Sequence, residues 1–262
     1  MDERTELLLK HGYLDSPSEF KIFAHRGFTF SQGTVVRDEN SLESFDAAVA
    51  AGADYLELDI QCSADGVAVI FHDEKLDRVS SQSGLVSERT WIELQQVRLN
   101  YGGRIPSFGE VLTKFSNSKI NIDVKASGAI PDLARSLQNS RSEGRVLITS
   151  FSERRRKAAL RQVPGVATSP SALLTLRIRL SYMLHIGLTR ALKNVNVLQI
   201  PVSYGILRLD SPRFIEAVKR RGVEVVYWTV NDPVEAIRLK GIGANGIVTD
   251  RTDLMVSAFH SQ

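Results

Sequence analysis

The chain has 262 residues, 43% hydrophobic and 24% charged, with a formal net charge of +3 and one cysteine, Cys62. This is ordinary globular usage, and the length suits one α/β barrel as well as two smaller domains. A single cysteine excludes an intrachain disulfide, no apolar run reaches the ~18 residues of a membrane span, and Met1-Asp2-Glu3-Arg4 lacks a secretory leader's basic-then-apolar layout; the expectation is a cytoplasmic protein.

In chain order, residues 5–10 suggest a short helix, and the loop after it is expected to plug the bottom of a barrel. From about residue 21 onward, short β-branched runs alternate with helical patterns. Strands are expected at 22–24, 55–61, 120–124, 146–149, 166–168, 195–200, 223–229 and 246–249, which makes eight. Helix starts are marked by caps: Ser41 before 42–51, Ser107 before a turn at 109–115, and Ser152 before 153–162. Ser211-Pro212 and Asp232-Pro233 add proline at the first helical position. Eight strand–helix repeats imply a parallel sheet closed into a (β/α)8 TIM barrel, one domain over 1–262; an open doubly wound sheet is the alternative.

One interval breaks the alternation. Only five residues separate 55–61 from the apolar run 67–72, too few for a parallel crossover, so the two runs pair antiparallel through Asp65-Gly66. Residues 74–106 then read as an irregular insertion over the active-site face, loop-like at 80–84 and weakly helical at 91–97. The longest helical stretch, 173–193, mixes Arg177, Arg179, Arg190 and Lys193 with Leu, Ile and Met. A lipid-surface helix has this composition, and so does an outer barrel helix, which is the favoured reading; membrane contact is not expected. The basic runs Arg154-Arg155-Arg156-Lys157 and Lys219-Arg220-Arg221 read as solvated helix faces. Without a basic stripe and interleaved aromatics, nucleic acid is not an expected partner.

Chemistry concentrates at strand ends. On a strand, residues two apart share a face, so Glu57 and Asp59 point into the barrel while Leu56, Leu58 and Ile60 meet the helices. Asp123 and Lys125 repeat the pattern on the next barrel strand. Three inward carboxylates make an all-oxygen site for a hard divalent ion, Mg²⁺ or Ca²⁺; the alternative is a plain Asp123–Lys125 ion pair. His25 ends the first strand, followed by Arg26, and His72 ends the hairpin return. A phosphodiester needs its developing charge stabilised, its nucleophile deprotonated and its leaving alkoxide protonated. Cations with two imidazoles supply those functions.

These residues fall in motifs whose order resembles the glycerophosphodiester phosphodiesterase family from about residue 21 to 255. They are His25-Arg26-Gly27, Glu39-Asn40-Ser41-Leu42, Glu57-Leu58-Asp59, Asp65-Gly66 with Phe71-His72-Asp73, and Leu76-Asp77-Arg78. Further along come Arg104-Ile105-Pro106-Ser107, Asn121-Ile122-Asp123-Val124-Lys125, Ser150-Phe151, Trp228-Thr229-Val230-Asn231 and Gly246-Ile247-Val248-Thr249-Asp250. The resemblance implies hydrolysis of small-molecule glycerophosphodiesters to an alcohol and glycerol 3-phosphate, with His25 and His72 as the acid–base pair. It also implies Glu57 and Asp59 as metal ligands, joined by Asp123, and Arg26 and Lys125 on the phosphate. A lysophospholipase D, a cyclising phosphodiester lyase and a non-catalytic lipid-binding barrel are the alternatives on the same scaffold. The chain departs from the family at Asp123, where glutamate is usual and the reach is about 1.5 Å longer. Asp38 and Ser41 replace the usual proline and threonine.

Glu39 and Asn40 are read as partners that orient a ligand or Arg26. Trp228 is either a substrate-facing ring or barrel filling, and Asn231 is expected to cap the next helix, with substrate contact as the alternative. Asp250 either supports the phosphate region or caps the last helix. Cys62 reads as an inert hairpin residue.

Overall fold

The computed structural model describes residues 12–205 and 207–260, so the short helix expected at 5–10 lies outside the described residues. The described strands are β1 (Lys21–His25), β2 (Phe30–Ser31), β3 (Thr34–Val35), β4 (Tyr55–Cys62), β5 (Ala68–Ile70), β6 (Lys119–Val124) and β7 (Val146–Thr149). They continue with β8 (Ala167–Thr168), β9 (Val197–Pro201), β10 (Ser203–Tyr204), β11 (Leu207–Arg208), β12 (Glu224–Trp228) and β13 (Gly246–Thr249). Eight of them run parallel in the order β8-β7-β6-β4-β1-β13-β12-β9. First and last strands are thus neighbours, with Ala24 opposite Thr249. Hydrogen bonds close the remaining gap. The Asn196 N–H donates to the Thr168 carbonyl at 3.0 Å, the Thr168 N–H returns to Asn196 Oδ1 at 3.0 Å, and the Gln199 N–H reaches Ser169 Oγ at 3.3 Å. The ring is a (β/α)8 barrel, and the open-sheet alternative is excluded.

Side-chain alternation sorts the strands into an inner and an outer core. Leu56, Leu58, Ile60, Ile120 and Ile122 face outward onto Phe45, Ala48, Val111 and Leu133 of the surrounding helices. Leu198, Val225, Tyr227 and Ile247 pack likewise on Phe214, Val218 and Leu239. Each such burial stabilises by roughly 1.5–3 kcal/mol. Inside the barrel, Phe23, Tyr55, Leu147, Val197 and Val226 form a floor around the fully buried Tyr13, whose carbonyl accepts the Tyr55 hydroxyl at 2.6 Å. Residues just before β1 therefore do plug the barrel. Glu57 and Asp59 continue the inward face of β4 above this floor.

The hairpin return is β5, antiparallel to β4 with Ile60 opposite Ile70 and Cys62 opposite Ala68. The free edge of β5 is satisfied in part by Asp132, whose Oδ2 accepts the Ala68 N–H at 2.8 Å. Asp132 belongs to the helix Ile130–Ser140, an element the caps did not reveal. Residues 74–106 are more ordered than an irregular insertion: Leu76, Val86, Leu94, Val97 and Leu99 build a small core on Val69 and Phe71, and Trp91–Gln95 is helical. The stretch 173–193 is not one helix. Ala172–Met183 ends in a turn with His185 and Gly187 at positive φ (54° and 73°), and a single turn of helix, Leu188–Ala191, follows. No helix among the described residues is long and apolar enough to cross a membrane.

Candidate active site

The turn that ends β1 starts the site. Arg26 and Gly27 both take positive φ (55° and 90°), which reverses the chain so that the Arg26 N–H donates to Glu57 Oε2 at 3.1 Å. A Cβ on Gly27 would lie 2.3 Å from Ser44 Oγ, so only glycine fits there. Ser41 caps Leu42–Ala51 in a capping box with Ser44, and the Ser44 hydroxyl donates to the Arg26 carbonyl at 3.1 Å. The helix thereby fixes the turn that presents Arg26.

Arg26, Glu57, Asp59, Asp123 and Lys125 form one network inside the mouth. The Arg26 guanidinium donates through Nη1 to Glu39 at 3.0 Å, and its Nε lies 3.1 Å from Asp59 Oδ2. Asn40 Nδ2 donates to the same Asp59 oxygen at 3.0 Å. Lys125 Nζ bridges Asp59 Oδ1 at 3.0 Å and Asp123 Oδ2 at 2.6 Å. Glu39 and Asn40 thus contact Arg26 and Asp59 respectively. The Asp123–Lys125 pair does form, yet it does not strand Asp59, because one lysine serves both aspartates.

Burial sets the electrostatics. Desolvation and the neighbouring Asp59 charge push the Glu57 carboxyl up to about 7. Asp59 is equally enclosed, but Lys125, Arg26 and His72 outweigh burial and hold it below the usual carboxylate range. Asp123 stays raised because burial exceeds the pull of Lys125. Its Oδ1 is buried with no hydrogen-bond partner.

Both histidines adjoin this cluster, and each ring is held by a carboxylate. His25 Nδ1 lies 2.6 Å from Asp250 Oδ1, and its Nε2 is 3.9 Å from Glu57. Burial lowers the proton affinity of His25, but the Asp250 hydrogen bond and Glu57 reverse the sign and leave its pKa raised. His72 Nδ1 lies 2.5 Å from Asp73 Oδ1. Arg78, from the insertion, donates through Nε to Asp73 at 2.6 Å and through both Nη atoms to Glu39 at 2.8 and 2.6 Å. The insertion therefore reaches the site through one arginine. Asp73 and Arg78 lay within recognised motifs but had no role assigned.

One assignment changes, and several others are filled in. Asn231 does not cap the helix Pro233–Gly241; Asp232 does, accepting the Val234 N–H at 3.0 Å. Asn231 instead donates to Asp250 Oδ2 and accepts the Asp250 N–H, each at 2.8 Å. Asp250 in turn holds His25 through its Oδ1. Trp228 is half-buried, packing on the barrel interior and edge-on to Phe151 with centroids 5.8 Å apart. Asp38, the replacement for proline, accepts the N–H groups of Tyr101 and Gly103 at 2.9–3.1 Å and so anchors the end of the insertion. Cys62 is free, and burial raises its thiol pKa.

Among the described residues no three of these His, Asp and Glu side chains converge as a metal cage, since Lys125 occupies the space between Asp59 and Asp123. The donor set nevertheless suits a hard cation. Glu57 carries a charge that its surroundings disfavour, and Asp123 Oδ1 is buried without a partner.

Comparison with known proteins identifies the kinship of the chain. The model of the glycerophosphoryl diester phosphodiesterase family matches residues 25–254. A probable glycerophosphodiester phosphodiesterase 2 of Mycobacterium tuberculosis is 34% identical over 235 residues, 88% of each chain. A glycerophosphodiester phosphodiesterase of Caldanaerobacter subterraneus is 27% identical over 90% of this chain and 96% of its own. Among solved structures, an Oleispira antarctica phosphodiesterase in complex with the product sn-glycerol-3-phosphate superposes with a TM-score of 0.74 at 24% identity, covering 92% of this chain and 96% of that one. The Agrobacterium tumefaciens glycerophosphodiester phosphodiesterase gives 0.76 at 23%, covering 93% and 100%. At such identities the superpositions speak for the fold, and the sequence matches speak for kinship. The chain belongs to the glycerophosphoryl diester phosphodiesterase family.

Proposed function

We propose that His25 and His72 act as the acid–base pair in hydrolysis of a glycerophosphodiester to an alcohol and glycerol 3-phosphate, the reaction of the family. The observation that carries this reading is the pairing of each imidazole with its own carboxylate, Asp250 and Asp73, beside a buried carboxylate–cation cluster. A carboxylate on Nδ1 fixes the ring and leaves Nε2 for the substrate. One imidazole removes a proton from the attacking water, and the other protonates the departing alkoxide. Arg26 and Lys125 offset charge growing on the phosphoryl oxygens, and the Asp38-anchored insertion helps cover the mouth. Glu57, Asp59 and Asp123 would hold a divalent ion, Mg²⁺ or Ca²⁺, which when bound supplies Lewis-acid stabilisation of the phosphoryl group. Lys125 would then turn from bridging the aspartates toward the phosphate.

The test is incubation with glycerophosphocholine and glycerophosphoethanolamine, with added Mg²⁺ or Ca²⁺ or with chelator, followed by phosphorus NMR. A monoester resonance that requires the cation supports the reading. A cyclic product would replace hydrolysis by intramolecular cyclisation, and no turnover of any such diester would leave the site without this function.

A further inference from the structure

The helix Ala172–Met183 is apolar on two opposite faces. Ile178 and, partly, Leu174 and Tyr182 pack inward on the barrel. On the other face, Leu173, Leu176, Leu180 and Met183 are 69%, 52%, 47% and 54% exposed, at a 3–4–3 spacing that makes one continuous stripe. Leu184 and Ile186 extend it, at 67% and 73% exposure. A contiguous apolar patch of this kind marks an interaction surface, unlike scattered single residues.

Charge says what covers it. From residue 172 to 193 the chain has Arg177, Arg179, Arg190 and Lys193 but no aspartate or glutamate. Arg179 turns inward over the rings of Tyr182 and Phe214, at 5.4 and 4.9 Å, whereas Arg177, Arg190 and Lys193 are exposed. Arg177 follows Leu173 by one turn and lies on the stripe itself. A second copy docked through the same face would set these cations against their own mates, with no carboxylate on the stretch to offset them. An anionic lipid surface meets both features, taking Leu and Met side chains below its headgroups and the arginines among its phosphates.

We propose that Ala172–Met183 and the turn after it dock the protein on an anionic lipid surface. Docking does not depend on the catalytic reading. The stripe begins just after Ser171, at the barrel end where β8 exits, so its first turn lies at the catalytic rim.

Co-sedimentation with vesicles tests it: phosphatidylcholine alone against phosphatidylcholine with phosphatidylglycerol as a third of the lipid. The wild type is expected to pellet at least ~10-fold more with the anionic vesicles, and high salt should reduce this. The double variant Leu176→Glu/Leu180→Glu should stay in the supernatant with an unchanged melting temperature, and Arg177→Glu/Lys193→Glu should weaken pelleting. Both pairs are exposed, so folding is checked independently by circular dichroism. Equal pelleting with neutral vesicles, or none with either, overturns the proposal. So does a dimer in sedimentation velocity that Leu176→Glu/Leu180→Glu dissociates, because the stripe would then be covered by a second copy.

Discussion

The pairing of His25 with Asp250 shows how a single side chain is tuned by residues far away in sequence. The two are 225 positions apart, yet 2.6 Å separates their atoms because β1 and β13 are neighbours in the ring. Asp250 and Glu57 raise the imidazole pKa against the cost of burial. A raised histidine contributes stability that is fully present below about pH 6.5 and is lost as pH rises through the folded value. Asp250→Asn should therefore move the His25 titration, followed by NMR of the ring, to lower pH. The same change should shrink the stability difference between weakly acidic and alkaline buffer. Its loss of kcat should be smaller than that of His25→Ala, since the ring remains. An unshifted titration would mean that Asp250 does not bear on His25. None of this could be read from sequence, where Asp250 looked equally like a helix cap. Glu57, Asp59, Asp123 and Lys125 were legible because strand alternation fixes which side chains share a face.

At the scale of elements, two contacts tie loops to the scaffold. Gly27 sits against Ser44 with no room for a methyl group. Gly27→Ala should cost about 2–4 kcal/mol from backbone strain and overpacking together, read as a lower denaturant midpoint. An unchanged midpoint would show that the Arg26 turn can move off the helix. Asp38 is buried and accepts two backbone N–H groups of the insertion. Asp38→Ala should cost about 1–3 kcal/mol and increase proteolytic cutting within residues 74–106, visible by mass spectrometry of the fragments. The barrel strands and the helices opened by Ser41, Ser107, Ser152 and Asp232 were legible, because period-two runs and Ser/Asp caps are local signals; Ser211 precedes its helix without a side-chain cap bond, and the caps Thr90 and Ser171 went unread. The helix Ile130–Ser140 was not legible. It continues from the 3-10 turn Ser127–Ala129 with Ala129 in the cap position and no side-chain cap bond, so no Ser, Thr, Asp or Asn cap announces it and only Pro131 and Asp132 in the first turn mark its start. The two-residue hairpin strands β2–β3 and β10–β11 are likewise too short to carry a periodic pattern. The unbroken helix expected over 173–193 failed at His185 and Gly187, whose left-handed backbone halts the helix although the composition continues.

The molecule as a whole is a barrel stoppered at one end and reactive at the other. Tyr13 fills the floor beneath the carboxylates, tilted against Tyr55 with ring centroids 4.9 Å apart, while Tyr55 stacks on Phe23 at 4.2 Å. Tyr13→Ala should destabilise by about 3–5 kcal/mol, measured by urea unfolding, as expected for emptying a large buried site. A cost below ~1 kcal/mol would mean that the floor holds without the stopper. Above that floor, the account rests on two imidazoles working as acid and base. The most direct test is kcat for His25→Ala and His72→Ala on the best glycerophosphodiester substrate, at saturating divalent ion and with folding verified by circular dichroism. Each variant is predicted to lose about 10²–10⁴-fold in kcat. Near-wild-type turnover in either one would contradict the assignment of that histidine to proton transfer.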